Sequence, residues 1–152
     1  MQKTLVIASD HAGFDLKQEL IEYLQSAGHG LKDVGTFSDE RTDYPEHAHR
    51  AAEGLLSGVA DLGILICGSG NGVNMSANKH TGIRSALAWN ERVAELGRQH
   101  NDANMLAIPA RFVTSDEAKR IVDAFLGAEF EGGRHETRVR KIDLQPEPTG
   151  KE

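Results

Sequence analysis

This chain of 152 residues predicts an α/β fold in which a parallel sheet carries helices on both faces. Three observations lead there. Short apolar runs bounded by turn residues alternate five times with segments of helical periodicity. The strongest runs, TLVIAS and LGILIC, are apolar along most of their length rather than at every second residue, as suits strands buried on both faces. Right-handed crossovers between successive strands then permit little other than a parallel sheet between two helical layers.

Taken in order, Thr4 to Ser9 is the first strand and Asp10-His11-Ala12-Gly13 the turn after it. Leu16, Leu20, Ile21 and Leu24 recur at helical spacing, with Asp15 and Gln18 read as a capping pair and Gly28 as the stop. Leu31 to Val34 is a weaker second strand, followed by the polar loop GTFSDERTD. Tyr44-Pro45 opens a helix through Leu56, because proline is tolerated in a first turn. Leu62 to Cys67 is the third strand, and Val73 to Lys79 its helix. Ile83 to Ala88 is the fourth, and Asn90 caps a helix that runs to about His100. Asn104 to Ile108 is the fifth. Thr114 with Glu117 makes a capping box for a helix whose apolar face is Ala118, Ile121, Val122, Phe125 and Leu126, stopped at Gly127. Glu131 to Val139 is charged and partly helical, and Asp143 to Glu152 reads as a frayed tail, so the domain spans residues 1–142 with a flexible tail at 143–152.

A chain of this length buries roughly 70% of its unfolded surface in a single core. Its 39% hydrophobic and 26% charged composition is that of an ordinary globular protein without a run long enough to span a membrane, and the start MQKTLVIASDHAG, which enters a strand pattern, is expected to carry no cleavable leader. A net charge of −6 with no basic stripe argues against nucleic acid as the main partner. One cysteine makes no intrachain disulfide, which fits a reducing, cytoplasmic compartment and turns attention to what a lone thiol does chemically.

In wound sheets of this kind ligands sit beyond the carboxyl ends of the strands. Asp10, His11, Cys67, the glycine loop at Gly68, Gly70 and Gly72, and Trp89 fall at those ends, and His100 and Arg111 are expected within reach of the same edge. Familiar sites fail there. The loop reads G-x-G-x-G and lacks the third glycine of the dinucleotide fingerprint; it also lacks the G-K-[ST] ending of a P-loop. Val73 stands where a cysteine phosphatase needs arginine. His47 and His49 lie two apart on a helix, hence on different faces, and are expected at the surface rather than on a metal.

A thiol beside a nest of amides survives these tests. Alone, Cys67 would be read as a packed core thiol; the glycines that follow it favour chemistry. A thiolate that removes a proton next to a carbonyl needs only oxyanion donors and a grip on the substrate, and the amides of Gly68 to Gly72 are such donors. His11 reads as a helix cap, His100 as a cation at a helix end and Asp10 as a turn former, and their convergence at one sheet edge raises the three together. Arg134, Arg138, Arg140 and Lys141 read either as a solvated face or as an anion site.

The segments SDHAGFDLK, ERTDYP, ICGSGNGVNMSANK, RQHNDANML and FEGGRHETRV, in this order between Thr4 and about Ile142, resemble those of the type B ribose-5-phosphate isomerases, a family that includes galactose-6-phosphate isomerase subunits. The resemblance implies a Rossmann-like three-layer α/β/α sandwich on a five-stranded parallel sheet. It also implies a homodimer with active sites at the subunit interface, and aldose–ketose isomerisation of a sugar phosphate through a cis-enediolate without metal or organic cofactor. Carried over to matching positions, Cys67 is the base and Ser69 its assistant. His100 is the acid that opens the furanose ring. Asp10, His11, Gly68, Gly70, Asn71, Gly72 and Asn101 contact substrate, and Arg111, Arg134 and Arg138 hold phosphate. One branch of the family uses a glutamate a few positions after the cysteine; here that position is Val73. Hexose and tetrose phosphates remain alternatives to ribose 5-phosphate, and a non-catalytic sugar-phosphate binding module is the alternative of another class.

Overall fold

The computed structural model describes residues 1–146 and 150. Five parallel strands, β1 (Thr4–Ser9), β2 (Gly30–Asp33), β3 (Leu62–Cys67), β4 (Ser85–Leu87) and β5 (Met105–Pro109), form one sheet in the order β2-β1-β3-β5-β4. The sheet is thus wound outward from β1 and β3 in both directions, which is the three-layer architecture the sequence predicts.

Side chains of the central strands alternate between two cores. Leu5 and Ile7, Ile64 and Ile66, and Leu106 and Ile108 face helices α1 (Phe14–Ser26), α4 (Glu91–Asn101) and α5 (Ser115–Gly127), where Leu20, Leu24, Ala94, Ile121 and Phe125 complete the packing. Val6, Ala8, Leu65, Cys67, Met105 and Ala107 face the opposite layer of α2 (Tyr44–Leu56) and α3 (Asn71–Ala77). Small residues on α2, Ala48, Ala51 and Ala52, let that helix lie close against β1 and β3. The sixth helix, α6 (Arg134–Arg140), packs against α4.

Three caps behave differently from one another for clear reasons. Thr114 and Glu117 form the full reciprocal box expected of them, and Asn90 accepts from the Val93 amide at 2.9 Å. Asp15 and Gln18 form no such pair. Helix α1 begins one residue after Gly13, and the carboxylate that meets its first turn is Asp10, which accepts from the Gly13 amide at 3.1 Å. The boundaries of several elements shift by one to three residues, and β4, at one edge of the sheet, keeps only three ladder residues.

A buried lysine ties the first helix to the sheet. Lys17 is fully buried, and its Nζ donates to Asp33 Oδ1 at 2.5 Å and to the Thr36 carbonyl at 2.6 Å. At the other end of the domain, Asp143, the first residue of the expected tail, accepts from the Gly82 amide at 3.2 and 3.3 Å; residues 147–149, 151 and 152 of that stretch lie outside the described residues. Among the described residues no helix is long and apolar enough to cross a membrane.

Candidate active site

A cavity of about 590 Å³ opens at the carboxyl edge of the sheet, between the ends of β1, β3 and β5. Cys67 ends β3 and lines it, only 4% exposed, with its side chain on the α2 and α3 side of the sheet. The chain then turns sharply. Gly70 adopts a left-handed φ of 75°, and a side chain there would collide with Leu87 at 2.5 Å, so glycine is required on both counts. Gly68, Ser69, Asn71 and Gly72 reach the cavity wall, while Gly70 packs behind it against β5. Among the described residues the amides of Gly68, Ser69 and Gly70 donate to no backbone carbonyl, so this loop holds unspent donors next to the thiol.

Ser69 is set as a donor toward the cavity. Its Oγ accepts from the Asn71 amide at 3.3 Å and from Asn71 Nδ2 at 3.2 Å, which occupies its lone pairs and leaves its own O–H to give. Asp10 and His11, on the turn after β1, form the facing wall. His11 Nδ1 lies 3.2 Å from both the amide N and the carbonyl O of Thr42, which fixes the ring against the loop before α2. Thr42 Oγ1 in turn lies 2.9 Å from His47 Nε2. His47, expected at the surface, is therefore a buried second support for the cavity wall, 5% exposed. Burial, then the nearby Arg50 cation, hold its pKa below the ordinary histidine value.

Arg111 follows β5 and crosses the glycine loop. Its amide donates to the Gly68 carbonyl at 3.0 Å, and a Cβ on Gly68 would come within 2.9 Å of the guanidinium, so the missing side chain leaves room for the cation to lie over this turn. Among the described residues Arg111 has no carboxylate partner, which leaves a free guanidinium facing the cavity. Tyr44, which the sequence marks only as a helix opener, also lines the cavity; its ring sits where a Gly72 side chain would lie, at 2.6 Å. The signal that marks it is the glycine two residues into α3, whose missing side chain makes room for the ring.

His100, Asn101, Arg134 and Arg138 do not join this cavity within the chain. Parallel strands require the intervening helix to run back, so α4 starts at Asn90 by the carboxyl edge and finishes at the edge where strands begin. Asn101 accordingly lines a separate recess with Arg84 and Ser85, at the start of β4. The expectation that His100 reaches the Cys67 edge within one chain is thus corrected by helix direction. His100 Nε2 instead contacts Glu131 Oε1 at 3.2 Å and stacks on His135 with ring centroids 4.2 Å apart. Desolvation, with repulsion from His100 and Arg134 added, holds the His135 pKa below its ordinary value. Arg134 and Arg138 lie one helical turn apart on α6, both exposed, and neither has an ion-pair partner among the described residues.

A wound α/β domain with a thiol, free amides and an unpaired guanidinium at its carboxyl edge has the parts of an enzyme that moves a proton beside a carbonyl on an anionic substrate. A sequence model of the ribose/galactose isomerase family matches residues 5–142, and the chain belongs to that family. It is 48% identical over 140 residues to the ribose-5-phosphate isomerase B of Escherichia coli, covering 92% of this chain and 94% of that one. The crystal structure of the Thermotoga maritima ribose 5-phosphate isomerase superposes with a TM-score of 0.92 at 47% identity, covering 93% of this chain and 97% of that one. The Mycoplasma genitalium enzyme with bound ribulose-5-phosphate gives 0.88 at 46% identity, covering 91% and 93%.

Proposed function

We propose that this protein interconverts ribose 5-phosphate and ribulose 5-phosphate by proton transfer. The observation that carries this is the placement of Cys67 beside the unspent amides of Gly68 and Ser69 in one cavity with Arg111. The relatives named above, one of them holding ribulose-5-phosphate, support the choice of substrate.

In the open-chain aldose, the Cys67 thiolate takes the proton from C2 while the C1 carbonyl oxygen gains the electron pair. The loop amides and the Ser69 hydroxyl receive that negative charge as the enediolate forms. The proton returns from Cys67 to C1, the hydroxyl on C2 passes its own proton to the anionic O1, and the ketose results. Each well-placed oxyanion donor contributes about 3 to 4 kcal/mol, and a positioned base about 10²- to 10⁴-fold in rate. Asp10 and His11 hold the sugar hydroxyls, and Gly72 with Asn71 completes the loop around them. Arg111, Arg134 and Arg138 grip the phosphate, so its binding energy serves orientation at the distant carbon.

His100 as ring-opening acid, with Asn101, Arg134 and Arg138, must then come from a second copy of the chain. Support for a homodimer lies beside the cavity: Met75, Trp89 and Phe112 are 65%, 57% and 73% exposed, and Trp89 and Phe112 flank an apolar recess that adjoins Ser69. In this reading residues 1–142 form the catalytic domain, residues 143–152 take no part in chemistry, and a reducing cytoplasm keeps the single thiol free.

Turnover and C2-hydrogen exchange into solvent deuterium, measured on a panel of aldose phosphates, test the assignment. Ribose 5-phosphate is expected to be the preferred substrate and to exchange its C2 hydrogen. Rapid turnover of a hexose or tetrose phosphate with negligible ribose 5-phosphate activity would redirect the enzyme to another sugar. Binding without exchange would make it a binding module.

A further inference from the structure

Away from the Cys67 cavity, three side chains with metal-ligating atoms converge. His100 closes α4, His135 lies in the first turn of α6, and Glu131 sits on the connection before it; one ligating atom from each lies within 4.8 Å of the others. Among the described residues this is the one group of three such side chains. Its backbone is held from both sides: the Glu131 amide donates to the Gln99 carbonyl at 3.0 Å, and α6 packs on α4. The imidazoles face each other with centroids 4.2 Å apart and planes 14° from parallel, and the Glu131 carboxylate is already 3.2 Å from His100 Nε2.

We propose that His100, Glu131 and His135 bind a divalent transition metal ion of the Zn²⁺ class, with water completing the shell. Two imidazoles and one carboxylate are a donor set of this class, and three protein ligands leave an open position. Zinc bonds of about 2.0 to 2.2 Å place ligand atoms about 3.3 Å apart on a tetrahedron. The His100–Glu131 pair is already close to that spacing, and binding would require the partly exposed His135 ring to turn out of the stack so that its lone pair meets the same point. Glu131 neutralises part of the ion's charge, and Arg134 and Arg138, both exposed, repel it through solvent that screens over about 8 to 10 Å. Occupation puts the ion on the His100 nitrogen, which then carries no proton to give to substrate. The consequence for turnover, reversible inhibition, rests on the reading of His100 as the ring-opening acid.

The test uses the untagged full-length chain and Co²⁺ as a spectroscopic probe, with Zn²⁺ for kinetics. Co²⁺ is expected to give a visible ligand-field band that saturates at one ion per chain and is displaced by Zn²⁺. The affinity should fall at least about tenfold in His135→Ala and in Glu131→Gln, since even indirect support for a metal ligand is worth that much. His80→Ala, which breaks the separate pair in which His49 Nδ1 lies 2.7 Å from His80 Nε2, should leave the titration unchanged. Zn²⁺ should lower isomerase turnover in the wild type, EDTA should restore it, and each variant is compared with its own metal-free rate. An unaltered Co²⁺ titration in His135→Ala, or one abolished by His80→Ala, overturns the site. Tight binding through the three residues with turnover unimpaired leaves the site standing and removes the role given to His100.

Discussion

Cys67 and His100 occupy opposite edges of the same parallel sheet: the thiol ends β3 where strands finish, and the imidazole ends α4 where they begin. If both serve one reaction, two chains must share each site. Cys67→Ala and His100→Asn should then be inactive alone and complement when mixed, because one of the two sites in a heterodimer carries neither substitution. Subunit exchange at equal concentrations should restore about one quarter of wild-type activity. An inactive mixture, with heterodimer formation verified by native mass spectrometry, would place the acid elsewhere.

Removal of the thiol isolates the chemical step. Cys67→Ala should lose about 10²- to 10⁴-fold or more in kcat and abolish C2-hydrogen exchange, while ribose 5-phosphate still binds through its phosphate. Calorimetric titration beside deuterium exchange by NMR reads both halves. Wild-type exchange in this variant would remove the base assignment.

The arginines should separate from the thiol in kinetics. Phosphate is remote from the reacting carbons and is held in both ground and transition states, so Arg138→Ala should raise KM about tenfold or more with kcat little changed. Arg111, whose guanidinium also lies over Gly68, should lower kcat as well when replaced by alanine, because the loop loses the side chain that covers it. Steady-state kinetics on ribose 5-phosphate distinguishes the two patterns.

His47 makes the fold sensitive to acid. Its pKa in the folded chain lies below the ordinary 6.5, so the unfolded chain binds the proton more readily. The stability contributed by neutral His47 is therefore complete above pH 6.5 and is lost as pH falls through the folded value. His47→Gln should flatten this component of a denaturant-midpoint profile between about pH 7 and 5, the range around a histidine's ordinary titration. An unchanged slope would contradict the linkage.

Lys17 anchors the segment that follows β2. Its ammonium is fully buried while the Asp33 side chain is 26% exposed, so loss of the lysine leaves a carboxylate that water reaches in part. Lys17→Met should cost about 2 kcal/mol, less than the 3 to 5 of a fully buried broken pair, and lower Tm by roughly 4 to 8 °C. Lys17→Met with Asp33→Asn should recover part of that loss. Thermal unfolding of the single and double variants measures the recovery.

Local chemistry made much of this molecule readable in its amino-acid order. Apolar runs bounded by turn residues marked all five strands, because full burial on both faces demands uninterrupted hydrophobicity along β1 and β3. The residues after those strands, Asp10, His11 and Gly68 to Gly72, could be assigned to one edge because every strand of a parallel sheet ends on the same side. Arg111 followed by the same rule.

What depends on distance across the chain had to await the tertiary structure. Tyr44 joins the cavity because it packs against Gly72, His47 is buried because Thr42 connects it to His11, and Asp10 rather than Asp15 meets the start of α1. His100 departs furthest from its expected place. Its residue type and position on a helix are local properties, but the edge it occupies follows from the direction in which α4 must return between parallel strands. Sequence alone therefore placed the candidate groups at the ends of the strands, while the crossover geometry decided which of them one chain brings together there.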